Sequence, residues 1–377
     1  MNEQNRNRII VDDMFLTVDA PTTAGSKMLE GYQSPIGATA IAKAQTAGYV
    51  LAMKTPVGEF GIDLLGETAV SGARVRDGIL KNLTAEMLWW ENDAAGAFCL
   101  DVNGYPRRAA AQMGLVCLKP TYGVVSREGV VSVAASGEAV DILAKTTEDC
   151  RALFDAVKEQ NQTECTPITR VAILTSVDTD MNSEIKKKID LAISHFEKSG
   201  IAATYIENGT FCAAGAAWNI LLCAELCKNT ARYDGIRYGH RAENFSNLDE
   251  LYTNSRTEGL GELVKAAILY GSETLSPKNY QRVYQKALRV RRVIANEFAK
   301  LFQNFDAVLL PTCSQMVYTE GQIKANKYLA FEENRYTAPA TLAGLPAVVA
   351  GGVQLIGKAD SEHALLDVAS ILAGEDR

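Results

Sequence analysis

Hydrophobic and polar positions along the chain switch repeatedly between a helical period and short apolar runs. Residues 8–11 (RIIV) are such a run and are predicted as a strand. Residues 37–47 are alanine-rich with helical spacing, Gly48 stops them, and YVLAM follows as a second strand. The stretch 83–91 predicts a helix with Thr84 as its N-cap, and Pro106 fits the first position of another helix running to about Met113. An amphipathic helix is expected over 146–159, capped by Thr146 or Thr147, then a buried strand at 171–175, a helix at 182–199 and a strand at 202–207. Long helical stretches fill 213–230 and 277–303, and the apolar strand 306–311 ends in proline. Residues 347–357 read as a strand broken by two glycines, and 361–373 as a helix. Strands alternating with helices imply a mixed or parallel sheet covered on both faces. No repeat or linker divides the chain, so one compact domain over 1–377 is expected.

Composition narrows the function classes. The chain has 377 residues, is 47% hydrophobic and carries a net charge of -7, which allows a large core. No basic patch runs through it, so direct nucleic-acid binding is not expected. The dense basic stretches, Lys186 to Lys188 and Arg289 to Arg292, lie in helical patterns and read as solvated helix faces. None of the eight cysteines has CxxC spacing, and the three histidines (His195, His240, His363) draw no zinc site with them. Buried, reduced thiols are expected, with no metal and no cofactor. The polar N-terminus lacks the apolar core of a signal peptide, and no apolar run reaches the roughly 18 residues of a membrane span. A cytoplasmic protein without membrane contact is the expectation.

Several long motifs, in order, carry a resemblance. PTTAGSKMLEGYQSP (21–35), LKPTYGVVSREGVV (118–131), ARYDGIRYGHR (231–241), ELYTNSRTEGLGELVK (250–265), TAPATLAGLP (337–346) and QLIGK (354–358) are similar to segments of the amidase-signature family. Within it they most resemble the A subunits of glutamyl-tRNA amidotransferases. The resemblance implies an α/β/α sandwich, a large mixed β-sheet covered by helices on both faces. It also implies that the family's N-terminal helical segment is absent.

Members of that family use a serine, a second serine and a lysine. A serine hydroxyl is a weak nucleophile and needs a base. A lysine serves only when burial keeps it neutral. The resemblance places the lysine position, in the run Arg8 to Asp13, on Asp12, and the nucleophile position on Tyr105. The middle serine falls on or beside Lys81 and Asn82, in a stretch without the family's glycine- and serine-rich loop. Asp101, Asn103, Gly104 and Arg107 surround the nucleophile position, and Asp101 is expected to pair with Arg107 as scaffold. Two positions that would hold the charged ends of glutamine fall on Ala267 and Asn334.

Three readings follow. In the first, Tyr105 fills the old pocket and the chain is catalytically degenerate. It then acts through a protein partner, either an amidotransferase B- or C-subunit-like protein or a catalytic paralogue. In the second it is an active amidase or glutamine-dependent transamidase subunit, releasing ammonia for the conversion of Glu-tRNA(Gln) to Gln-tRNA(Gln). In the third the relict pocket senses a small molecule. The start of the Tyr105 helix, with Arg107 and Arg108 following, is a further candidate for a small anion. Spacing does not single out Glu225, Asp234 or Asp141 as an acid/base pair.

Overall fold

The computed structural model describes residues 7–159, 166–174 and 181–375. Twelve strands occur among them. In chain order they are β1 (Arg8–Asp12), β2 (Val50–Thr55), β3 (Val75–Arg76), β4 (Ile79–Leu80), β5 (Ala94–Asp101), β6 (Val116–Lys119), β7 (Ala139–Ala144), β8 (Arg170–Leu174), β9 (Ala202–Ile206), β10 (Ala307–Pro311), β11 (Ala347–Ala350) and β12 (Val353–Gly357). Ten form one sheet in the order β2-β1-β5-β7-β6-β11-β12-β10-β8-β9, and β3 and β4 form a separate small hairpin. The flanks are parallel (β2 with β1, β1 with β5, β10 with β8, β8 with β9) and the middle is antiparallel. Strands β5, β6, β7, β10, β11 and β12 are buried along their whole length. Successive side chains point to opposite faces, so helices cover both. The expected mixed α/β sandwich is the observed one.

Most expected elements stand, and the differences have local causes. The helix Leu83–Trp90 is capped by Asn82, whose side chain accepts from the Ala85 N–H at 3.0 Å. Thr84 lies inside it, its hydroxyl bonded to that of Thr55. Tyr105 opens the helix Tyr105–Met113, so Pro106 is its second residue. The expected continuous helix 277–303 contains a π turn, Tyr280–Tyr284, before the regular helix Gln285–Leu301. In that helix Arg289 and Arg292 are exposed as expected, whereas Arg291 turns inward, donating to the carbonyls of Leu342 and Ser136 at 3.0 and 2.6 Å. The glycine break at 351–352 makes β11 and β12 an antiparallel hairpin, with positive φ at Gly351 and Gly352. Of the expected strand 171–175, Thr175 lies outside the described residues.

Two composition readings change. The helical run Gly209–Thr230 spans 22 residues and is apolar enough, by length and composition, to cross a membrane. It reaches that length because a 3-10 turn joins the helix Ala214–Thr230 end to end, and it buries Trp218, Leu221, Leu222 and Leu226 in the core. Among the described cysteines, Cys212 is exposed rather than buried, because it sits on the outer side of that turn.

One side chain joins the layers. Arg107, fully buried, donates to Asp101 at the end of β5 and to Gln354 in β12 at 2.7 Å. It also donates to the Thr337 carbonyl (2.9 Å) and the Thr341 hydroxyl (3.0 Å) of the helix Leu329–Ala343. Its distance to the Asp101 carboxylate is 2.8 Å. Removing one partner of such a buried pair leaves an uncompensated charge and costs about 3–5 kcal/mol. Arg107→Met is expected to lower the unfolding free energy by that order, seen in equilibrium unfolding as a lower urea midpoint with an unchanged denaturant slope.

Candidate functional site

β1 and β5 are parallel neighbours, with Val11 opposite Phe98. Asp12 ends β1, and the chain leaves β5 at Asp101 and turns through Asn103 and Gly104 into the helix Tyr105–Met113. This geometry brings the lysine and nucleophile positions of the resemblance together: the Tyr105 hydroxyl donates directly to Asp12. The turn requires glycine at 104, where φ is 80° and a Cβ would stand 2.3 Å from the Thr337 hydroxyl.

Both members of the pair are sealed from solvent. Tyr105 is 1% exposed and Asp12 0%. Asp12 also accepts the main-chain N–H groups of Leu100 (2.9 Å) and Met14 (3.0 Å). Burial raises its pKa to about 6, against the lowering effect of these bonds. Burial, and then the Asp12 charge, hold the Tyr105 phenol well above its ordinary range, so it stays neutral. The Cys99 thiol touches the same hydroxyl, and burial raises it well above the usual thiol value. The Tyr105 hydroxyl therefore faces a carboxylate and a neutral thiol.

The surrounding residues form a second buried layer. Asp101 accepts the Gly104 N–H at 2.5 Å as well as Arg107. Burial opposes its ionised form, but Arg107 and Lys119 hold its carboxyl below the ordinary range. Burial and the neighbouring Asp101 push Asp141 far up, so it is a neutral acid beside an ionised one. The buried Lys119 ammonium is lowered to about 8, by desolvation first and Arg107 next. Arg108 is also buried, bonded to the carbonyls of Leu64, Asn103 and Asp63. Asn103 donates to the Ile62 carbonyl at 2.7 Å. The anion reading of this helix start is therefore corrected: Asp101 occupies it, and both guanidinium groups are engaged by the protein itself.

Lys81 does not join the pair. It lies just past β4, with its N–H on the Arg74 carbonyl and, among the described residues, no hydrogen bond or ion pair from its ammonium. A different lysine meets an alcohol: Lys54 in β2 donates to the Thr22 hydroxyl at 2.6 Å and pairs with Asp13 at 3.0 Å. Thr22 is fully buried and its hydroxyl is turned to the Phe15 carbonyl. Sequence reasoning passed over Lys54, Cys99 and Asn219.

Asn219 matters because of where it points. A cavity of about 470 Å³ opens between the helices Ala214–Thr230, Glu262–Leu275 and Leu329–Ala343. Ala267, Asn219, Ile220, Tyr270, Tyr328 and Phe331 line it. Asn334 lies behind it, fully buried, its side-chain amide 2.6 Å from that of Asn219. Turned over, the same amide donates to the Asn103 carbonyl at 3.0 Å. Asn334 thus stands between the cavity and the turn that presents Tyr105. A lone amide in the apolar stretch Trp218 to Leu222 was the available signal.

The Amidase family model matches residues 95–366. The chain belongs to the amidase family. It is 33% identical, over 96% of its length and 81% of the relative's, to the A subunit of glutamyl-tRNA(Gln) amidotransferase from Streptococcus pneumoniae (strain ATCC 700669 / Spain 23F-1). The identity is also 33% to the corresponding protein of Coxiella burnetii (strain Dugway 5J108-111), over 94% and 80% of the two chains. Among solved structures, the Thermotoga maritima counterpart of these relatives superposes with a TM-score of 0.78 at 24% identity, covering 97% of this chain and 82% of the other. The 6-aminohexanoate cyclic dimer hydrolase complexed with substrate gives 0.79 at 18% identity, covering 97% and 84%. These superpositions establish the shared fold.

The raised Asp12 pKa makes a pH prediction. The fold favours the neutral acid, so that contribution is complete below the unfolded value near 4 and is lost as pH rises through about 6. Stability should fall by about 3 kcal/mol across this window, an upper bound. Asp12→Asn should flatten that slope in urea titrations run between pH 4 and 7.

Proposed function

We propose that this amidase-family chain no longer hydrolyses amides and acts by binding a protein partner. The partner would be an amidotransferase B- or C-subunit-like protein or a catalytic paralogue. The observation that carries the reading is the buried Asp12–Tyr105 pair. Amide attack needs an alcohol activated by a neighbouring base and open to substrate. The resemblance puts the base and nucleophile at these two positions, and here they hold a carboxylate and a neutral phenol bonded to each other. The scaffold motifs, ARYDGIRYGHR among them, persist around this altered centre, which supports a retained surface and a retained partner.

The second reading, an active glutamine-dependent amidotransferase component, is favoured by the curated relatives, whose names state that activity. A single assay separates the two. Purified protein, alone and mixed with candidate B- and C-subunit-like proteins, is tested for ammonia release from glutamine and simple amides. The first reading expects no turnover above buffer and no difference in Tyr105→Phe. Turnover that Tyr105→Phe abolishes overturns it in favour of the second. Co-elution with one candidate on size-exclusion chromatography is expected, and elution as a monomer in every mixture removes the partner claim.

A further inference from the structure

The helix Glu262–Leu275 borders a second opening on another of its faces. Ala266, Ala267 and Tyr270 line the cavity described above, whereas Lys265, Ile268 and Leu269 line a separate groove of about 370 Å³ beside the helix Leu248–Gly259. The two openings share no lining residue. The volume of the groove falls within the range of small-molecule pockets.

Its charge runs against that of the molecule. The chain carries a net charge of -7, yet the groove is lined by two cations, Arg256 and Lys265, and by no acid. Main-chain carbonyls hold both cations. Arg256 donates through Nη1 to the carbonyls of Thr230 and Tyr233 at 2.8 and 2.9 Å. Lys265 donates to the Thr257 carbonyl at 2.6 Å, so its ammonium sits beside the turn that carries Arg256. Neither forms an ion pair among the described residues. Glu59 and Glu262 feel the Lys265 charge, but Glu59 is bonded to the Ser26 hydroxyl and the Gly261 N–H, and Glu262 pairs with Lys327. Burial lowers the Arg256 guanidinium, and the group that opposes this is the Cys227 thiol rather than a carboxylate.

Many donors are left over. A guanidinium has five N–H donors and an ammonium three. Two and one of these are engaged, which leaves three on Arg256 and two on Lys265. The hydroxyls of Tyr252, Thr253 and Thr257 line the same groove, without a hydrogen bond of their own among the described residues. That set exceeds the roughly four lone-pair sites of a carboxylate, which also brings a single charge. A phosphate monoester brings three acceptor oxygens and a charge of about -1.5 to -2 at pH 7, which suits two cations. Leu260, Ile268 and Leu269 make the remaining wall aliphatic, and Leu269 is 71% exposed. Covering that wall favours an ester with an apolar body over the bare ion.

We propose that this groove binds a small organic phosphate monoester, with the phosphate at Arg256 and Lys265 and the apolar body on Leu260, Ile268 and Leu269. The site is separate from the Asp12–Tyr105 centre and stands whether or not that centre turns over amides.

Phenyl phosphate is the probe, titrated by calorimetry into the full chain at low salt. Inorganic phosphate lacks the body, and benzoate carries one charge. Phenyl phosphate is expected to bind saturably and at least about tenfold tighter than either, equivalent to about 1.4 kcal/mol. Lys265→Met removes one cation, and Leu269→Glu sets a carboxylate at the exposed lip of the groove. Each should weaken phenyl phosphate at least about tenfold. Leu269 lies outside the core, so the unliganded Leu269→Glu protein should melt at the temperature of the parent. Lys186 is exposed and lines no part of the groove, so Lys186→Met makes the same change in net charge and should keep the affinity of the parent. Absence of saturable phenyl phosphate binding overturns the proposal. So does inorganic phosphate or benzoate binding as tightly, unchanged affinity in either groove variant, or equal weakening in Lys186→Met.

Discussion

The guanidinium of Arg107 is the contact on which the rest of the centre depends. A buried cation must find acceptors for its donors. Here they come from β5, β12 and the helix Leu329–Ala343. Meeting that requirement draws together segments more than two hundred residues apart in the chain. The geometry of everything nearby follows. Asp101, held by Arg107, holds the Gly104 N–H, and the Gly104 turn aims Tyr105 back at Asp12. The same helix Leu329–Ala343 then supplies Asn334 to the rear of the cavity.

Charge is distributed unevenly between the two halves of this region. The interior around Asp101, Asp141, Arg107 and Lys119 is densely ionisable and dry, and each group sets the protonation of the next. The mouth a few residues away is open and neutral. Small-molecule pockets are lined mainly by apolar and aromatic side chains with a few polar groups among them. The cavity follows that pattern, while the interior behind it holds its ionisable groups in mutual contact.

The fold was legible where the pattern was strong. Residues 8–11, 202–207 and 306–311 are apolar runs of strand length, and 146–159 and 182–199 carry clear helical periods with Thr146 and Asn182 as caps. β5 was missed because its stretch AAGAFCLD is rich in alanine and glycine, which carry no strand preference. β7 was hidden by Asp141, an acid in the middle of a fully buried strand. The helix Leu329–Ala343 holds Pro339 in its interior and lacks an apolar stripe, so tertiary packing rather than local pattern maintains it. At the centre, periodicity alone relates neither Asp12 to Tyr105 nor Asn334 to Ala267. The first pair is 93 residues apart in the chain, Asp12 at the end of β1 and Tyr105 on the helix that follows β5, the parallel neighbour of β1. Only the ordered motifs of the family resemblance brought those positions into one argument. Cys99 and Asn219 escaped it because their role comes from which way a side chain points.

The closed Asp12–Tyr105 contact also bears on how the sequence can drift. Putting a short hydroxyl residue at 105 empties the volume of a phenol ring and strips Asp12 of a donor inside a dry interior. Putting an amine at 12 first sets a long cation against the two N–H groups that now face a carboxylate. Each of these substitutions therefore gives a less stable protein. The contact is thus self-locking: with the phenol and carboxylate bonded in the core, folding stability alone disfavours a change at either position.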